Sequence, residues 1–325
     1  MNLVLNNTEN QVIDETEVIT AVRSNFIEAN TIAVDLDHLK SECIIPVFAK
    51  DNESTISHYE FIKSTKEVVE EILDYKGVLK PEIRVSHQIK GRIPSAVAKP
   101  AKELLEHEKT LYYERMAFVI EIPEISETIN GNKLCLSIGG VRSYNQENLF
   151  SKKSIEKFKV FIGFQNKVCT NLCISTDGLL HDLRVSSVLE LKAKIYELIN
   201  SYDKKKHLQE MNEMSGFSIN ETQFATLIGK MKLYSFLDKE TKRNLFHLNI
   251  NDNQINTIVK NYHSDPNFAR FENGTIDFYR LYNLFTEAAK SAYIDTNFEK
   301  NVNAYAFINY LANFIKNEKS NWFLH

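Results

Sequence analysis

The chain changes its hydrophobic rhythm near residue 186. Before that point apolar residues fall in short runs bounded by turn formers, the signature of strands. Strands are expected at Glu82 to His87, Met116 to Ile122, Lys133 to Ile138, Phe158 to Phe164 and Val168 to Ser175. Upstream, Cys43-Ile44-Ile45-Pro46-Val47-Phe48, a polar turn over Lys50 to Glu53 and a second run from Thr55 to Phe61 read as a hairpin. Helices are expected over Val18 to Ala29, residues 64–75 and Ser95 to Tyr113, the last carrying Ala101, Leu104, Leu105 and Leu111 at near-helical spacing, with a short helical turn over Ser154 to Phe158.

From Ser186 onward the period is 3.6, beginning with Val188, Leu191, Ile195, Leu198 and Ile199. A capping box, Ser218-Ile219-Asn220-Glu221, precedes a helix bearing Phe224, Leu227, Ile228, Met231 and Leu233. Further helices are expected at Asp252 to His263, Ile276 to Ala292 and Val302 to Lys316. Five of the six prolines and seven of the ten glycines precede residue 200, as befits residues that punctuate turns and are excluded from helix interiors. The order predicts an α+β fold, β-rich in the N-terminal two-thirds and mainly helical in the C-terminal third. Residues 1–17 read as a flexible N-terminus, 18–185 as an α+β domain with a mixed or antiparallel sheet, and 186–325 as a helical subdomain packed on it.

A hydrophobic fraction of 43% and a charged fraction of 25% place the chain among globular proteins. No apolar run approaches the roughly 18–20 residues that cross a bilayer, and the N-terminus lacks the basic start and apolar core of a signal peptide. A soluble, cytoplasmic protein without a membrane partner is the expectation. Cys43, Cys135, Cys169 and Cys173 sit in apolar, strand-like surroundings, as reduced core cysteines do. The net charge of -4 conceals a division. Residues 1–75 hold 5 basic against 15 acidic side chains, residues 76–167 hold 16 against 10, and the remainder 18 against 18. The two unlike segments either attract one another within the fold or leave a basic centre facing a polyanion.

Common catalytic motifs are missing. The sequence has no GxxxxGK[ST] loop, no GxGxxG, no HExxH, no GxSxG and no paired CxxC. Cys169 and Cys173, four apart on an expected strand, share one face but lack further ligands nearby. Asp182 with Glu190-Leu191-Lys192 has the order of a metal-dependent nuclease, but a helix from Val188 makes positions 190 and 192 diverge. No metal and no cofactor are assigned, and a non-enzymatic role is favoured over an enzymatic one.

The segment Arg84-Val85-Ser86-His87-Gln88-Ile89-Lys90-Gly91-Arg92-Ile93-Pro94 reads as a strand entering a basic loop able to present amides and cations to phosphate oxygens. Tyr112-Tyr113-Glu114-Arg115 and Gly139-Gly140-Val141-Arg142-Ser143-Tyr144 add arginines beside tyrosines, a combination that stacks bases while cations follow the backbone. The glycine pair equally marks a β-bulge. Gln165-Asn166-Lys167 opens a polar run suited to a recognition surface or a buried network.

In order, ECIIPVFAKDNESTISHYEFI, RVSHQIKGRIPSA, KTLYYERMAF, IGGVRSYN, FIGFQNKVCTNLCISTDG and LYNLFTEAAKSAYID resemble the Bacteroidetes family called domain of unknown function thirty-eight seventy-one, from about Phe26 to Leu324. Tyr279 stands where that pattern has tryptophan. The resemblance implies a phage/plasmid-type protein of a mobile genetic element and brings no catalytic residues.

These readings lead to a nucleic-acid-binding accessory protein acting on single-stranded DNA in replication, transfer or recombination. The expected contact residues are Arg84, His87, Lys90, Arg92, Tyr113, Arg115, Arg142, Tyr144, Asn166 and Lys167. The alternative is a non-enzymatic protein-interaction module, such as an inhibitor of a host defence system, using the acidic N-terminal portion or the helical third. A metal-dependent nuclease is the weakest option.

Overall fold

Ser57 and Glu60 close a capping box, each side chain satisfying a free amide of the other's backbone, and this fixes the start of the first long helix. The computed structural model describes residues 25–43, 55–73, 77–96, 98–146 and 155–325. The first elements are β1 (Ile32–Ala33), α1 (Leu36–Ser41) and α2 (His58–Ile72). The run from Thr55 to Phe61 is therefore the entry to a helix and not a strand. Of the other half of the expected hairpin only Cys43 is described, in an isolated parallel bridge to Leu111; residues 44–48 and residues 1–17 lie outside the described residues. Residues 25–29, the described end of the expected helix over Val18 to Ala29, are non-helical. Instead the Glu28 and Ala29 amides bond the Lys290 carbonyl while Phe26 and Ile27 are buried.

Five longer strands follow: β2 (Glu82–Arg92), β3 (Lys109–Ile129), β4 (Asn132–Ser143), β5 (Glu156–Asn166) and, after the short β6 (Leu172–Cys173), β7 (Leu179–Val185). All pair antiparallel in the order β1-β2-β3-β4-β5, with β6 and β7 sharing the far edge of β5. The helix expected over Ser95 to Tyr113 is three single 3₁₀ turns running into β3. Pro100 has no amide to give a helix interior, and 109–113 bond β2 instead. The turn expected over Ser154 to Phe158 is occupied from Glu156 by β5. The strand expected over Val168 to Ser175 shrinks to two residues, because Thr170 takes a left-handed φ of 59° and turns the chain. Gly139 and Gly140 lie in regular register with Val119 and Phe118; the β3–β4 irregularity falls between Ile122 and Ser126. The glycines serve packing, since a Cβ on Gly140 would stand 2.3 Å from the Phe61 ring.

The helical part comprises α3 (Val188–Ser201), α4 (Lys204–Met214), α5 (Glu221–Tyr234), α6 (Lys239–Arg243), α7 (Asp252–Ser264), α8 (Phe278–Ala289) and α9 (Ile294–Lys316), with β8 (Ser218–Ile219) pairing β9 (Ile276–Asp277). Ser218 is spent in that ribbon, so the cap of α5 is Asn220 with Gln223, two residues later than expected. The chain is thus α+β, β-rich first and helical last. One face of the sheet buries Phe118, Ile120 and Phe158 under α2 and α3 and runs continuously into the α7–α9 core. The other face buries Ala117, Val119, Val141 and Phe161 under Phe26, Ile27 and the first turns of α9, through Ile294 and Phe298. Among the described residues no helix is long and apolar enough to cross a membrane.

Candidate nucleic-acid interface

Strand register decides which cations meet. On the α9 face, Arg115 of β3 is paired with Ser143 of β4, Val141 with Lys159 of β5, and Lys157 with Arg184 of β7. Directly paired residues share a face, as do residues two apart. Arg115, Ser143, Lys157 and Arg184 therefore form one row crossing β3, β4, β5 and β7. At about 4.8 Å per strand the row spans roughly 14 Å. His87 extends it on the β2 side, with its Nδ1 3.4 Å from Arg115 Nη1 and 2.9 Å from Ser86 Oγ. His181 of β7 is exposed beside it.

Carboxylates border the row. Arg115 Nε lies 3.8 Å from Asp295 and 4.0 Å from Glu114, too far for hydrogen bonds, and is buried without a bonded partner among the described residues. Its guanidinium also stands 5.8 Å from the Tyr293 ring. Arg184 reaches Asp182 at 3.0 Å, both side chains about half exposed (55% and 46%), and this contact holds the Asp182 carboxyl below the usual range. Exposed pairs of this kind contribute little to stability. Lys159 bonds Glu299 and the Asp295 carbonyl, tying the row's edge to α9.

The ten residues expected from sequence do not converge. Arg142 is fully buried, 2.7 Å from Glu156, with its guanidinium 4.7 Å from the Tyr144 ring and 4.5 Å from Phe158. Tyr144 is itself buried and stacked on His58. Arg84 is buried on Thr31, whose hydroxyl and carbonyl accept its Nε and Nη2 at 3.0 and 2.8 Å; burial lowers its pKa. Tyr113 is buried with its hydroxyl 3.1 Å from His38 Nε2. Asn166 is buried against Asn283, and Lys167 pairs with Glu121. Arg115 and His87 alone fall on the row.

Lys90 and Arg92 are separated from it by His87. Its φ of 57° is left-handed, and the two-stranded β2–β3 arm turns over there: Tyr113 and Ala117, four apart on one strand, join different cores. Beyond this point Lys90, Arg92 and Lys109 line a groove of about 760 Å³ with Leu104, Leu111 and Glu42. Arg92 donates to the Lys99 carbonyl and Lys109 pairs with Glu106. The acidic N-terminal portion thus meets the basic arm at Glu42, while Arg84 is engaged by the segment around Thr31.

Lys157, Lys159, His181 and Arg184 were not among the expected contacts. Lys157-Phe158-Lys159-Val160 carries the alternation that announces them, whereas Leu180-His181-Asp182-Leu183-Arg184 is too polar on one face to read as a strand without its partner. The other expected chemistries disperse. Asp182 faces Arg184, Glu190 accepts from Ser186, and Lys192 pairs with Glu67. Cys169 lies outside any strand, and burial raises both it and Cys173 to about 12. Among the described residues no three His, Cys, Asp or Glu side chains gather in a metal-binding arrangement.

A family described as "Domain of unknown function, B. Theta Gene description (DUF3871)" matches residues 6–324. No curated protein and no solved structure matches the chain.

Proposed function

The chain belongs to that family, and from this premise we propose that it is a non-enzymatic nucleic-acid-binding protein that lays a single strand along the cation row on the α9 face. The observation that carries the reading is the register-fixed alignment of Arg115, Lys157 and Arg184 across one face. A row of cations on a rigid sheet follows a phosphate backbone without reading its bases. The mobile-element setting and a role in replication, transfer or recombination of single-stranded DNA belong to the same proposal, which takes them from the family resemblance. Replacing Arg115, Lys157 and Arg184 together by glutamine is expected to weaken binding of a labelled single-stranded oligonucleotide at least tenfold. Unchanged affinity would remove the row from the interface.

A second reading rests on the arm groove. Its apolar floor, Leu104 and Leu111, and its rim of both signs, Lys90 and Arg92 against Glu42 and Glu106, suit an extended peptide better than a polyanion. In that reading the chain is a protein-interaction module. A partner captured from a host lysate after nuclease treatment, and lost with Leu111→Glu, supports it; capture that disappears with nuclease favours the first.

A further inference from the structure

The helical third contains two helix–loop–helix units, α4 with α5 and α7 with α8, joined where β8 pairs β9 through Ile219 and Ile276. Helix, tight loop and helix is the frame of a calcium loop. Such a loop has glycine at its sixth place, a backbone carbonyl ligand at the seventh, an oxygen-bearing side chain at the ninth and glutamate at the twelfth. Counted from Ala269, the loop between α7 and α8 keeps that backbone. Gly274 takes the sixth place with a left-handed φ of 80°. Asp277 takes the ninth, where its Oδ1 caps α8 by accepting from the Arg280 amide at 2.7 Å. The ligand set is lost. Ala269 and Phe271 stand at the first and third places, where aspartate or asparagine belongs. Asn273, at the fifth, is spent on the Thr275 amide and hydroxyl at 3.0 and 2.8 Å, and the Thr275 carbonyl accepts from the Phe271 amide at 2.8 Å. The twelfth place holds Arg280.

Arg280 turns back across the loop. Its Nη1 donates to the carbonyls of Ala269 and Asn267 at 2.9 and 3.2 Å, its Nε stands 3.6 Å from Asp277 Oδ2, and its guanidinium lies 4.3 Å from the Phe271 ring. The first, third, ninth and twelfth places thus converge on one positive charge. We propose that the loop from Ala269 to Arg280 is a divalent-cation loop whose ion is replaced by its own arginine, so that α7 and α8 hold a fixed relation without metal. The planar fork of a guanidinium can be shared between carbonyls and a carboxylate, and the aromatic ring covers its face. Calcium sensors change the angle between their helices when the ion binds. Here the charge is part of the chain, and the helical third is indifferent to calcium.

The test is thermal unfolding of the full chain. The wild type is expected to keep one midpoint in calcium chloride and in sodium chloride of equal ionic strength. Arg280→Ala should unfold at a lower temperature, and millimolar guanidinium should raise its midpoint saturably over matched sodium chloride while giving the wild type no such rise. Ala269→Asp combined with Arg280→Glu returns carboxylates to the first and twelfth places. That variant should gain a saturable rise with calcium, or fold only when calcium is present. A saturable calcium response of the wild type overturns the proposal, and so does an Arg280→Ala variant that guanidinium does not rescue. If Arg280→Ala is too unstable to show a transition, the double variant decides, and its failure to respond to calcium overturns the proposal.

Discussion

Arg142 shows how much of the basic centre is consumed inside the fold. Its guanidinium is fully buried, Glu156 accepts from it and from the Ile56 amide, and two aromatic rings lie against it. Removing one partner of such a pair leaves the other charge buried, at a cost of about 3–5 kcal/mol. Arg142→Ala is therefore expected to lower the urea midpoint strongly; a shift below about 1 kcal/mol would show the pair to be dispensable. Two histidines make a second prediction. Burial pushes His58 down to about 3, with repulsion from Arg142 adding to it, and pushes His207 to about 3. Below the ordinary value of 6.5 the unfolded chain takes up two protons that the fold refuses. Stability is thus complete above pH 6.5 and falls as pH drops toward 3, by about 1.4 kcal/mol per unit for each histidine. Urea midpoints at descending pH measure the slope, and His207→Phe should halve it while weakening the fold through the lost Tyr202 contact at 2.7 Å.

Elements explain what the sequence made legible. Strand cores such as Phe158 to Phe164, the helix α7 and the part of α9 from Val302 onward were visible because their apolar periodicity is local, whereas α9 begins earlier than expected, at Ile294. The arm was not visible, because Ala101, Leu104, Leu105 and Leu111 imitate a helix until Pro100 and the β2 ladder are taken together. Ser57-x-x-Glu60 carried a legible cap that a run of apolar residues obscured. The cation row was illegible for a different reason: its members come from separate strands, and only register brings them together. Two positions test the strand geometry. Gly140→Ala forces the Phe61 ring away from a Cβ at 2.3 Å, and overpacking of that kind costs about 1–3 kcal/mol, readable as a lower urea midpoint at unchanged slope. His87→Val places a β-branched residue at a φ of 57° and is expected to cost about 1–2 kcal/mol, whereas His87→Gly should be tolerated. A stable valine variant would show that the arm does not need the left-handed turn.

At the scale of the molecule, one sheet presents two surfaces. Its α2 and α3 face merges with the helical core, so the helical third backs that side of the sheet. The α9 face keeps Arg115, Lys157 and Arg184 aligned at its margin, with Asp295 of α9 beside Arg115 and Glu299 paired with Lys159. The near-neutral sum of charges therefore hides a local clustering of cations, and the charge division along the chain pointed to the half of the fold that carries the proposed row but to few of its residues. The most direct measurement is the anisotropy of a labelled single-stranded oligonucleotide titrated at several salt concentrations. Each phosphate neutralised contributes about 0.7 to the slope of log affinity against log salt. The wild-type chain should bind with a clear negative slope, and the Arg115→Gln, Lys157→Gln, Arg184→Gln variant should lose about 2 from it. Binding that is absent, or independent of salt, or equally steep in the variant, contradicts the account.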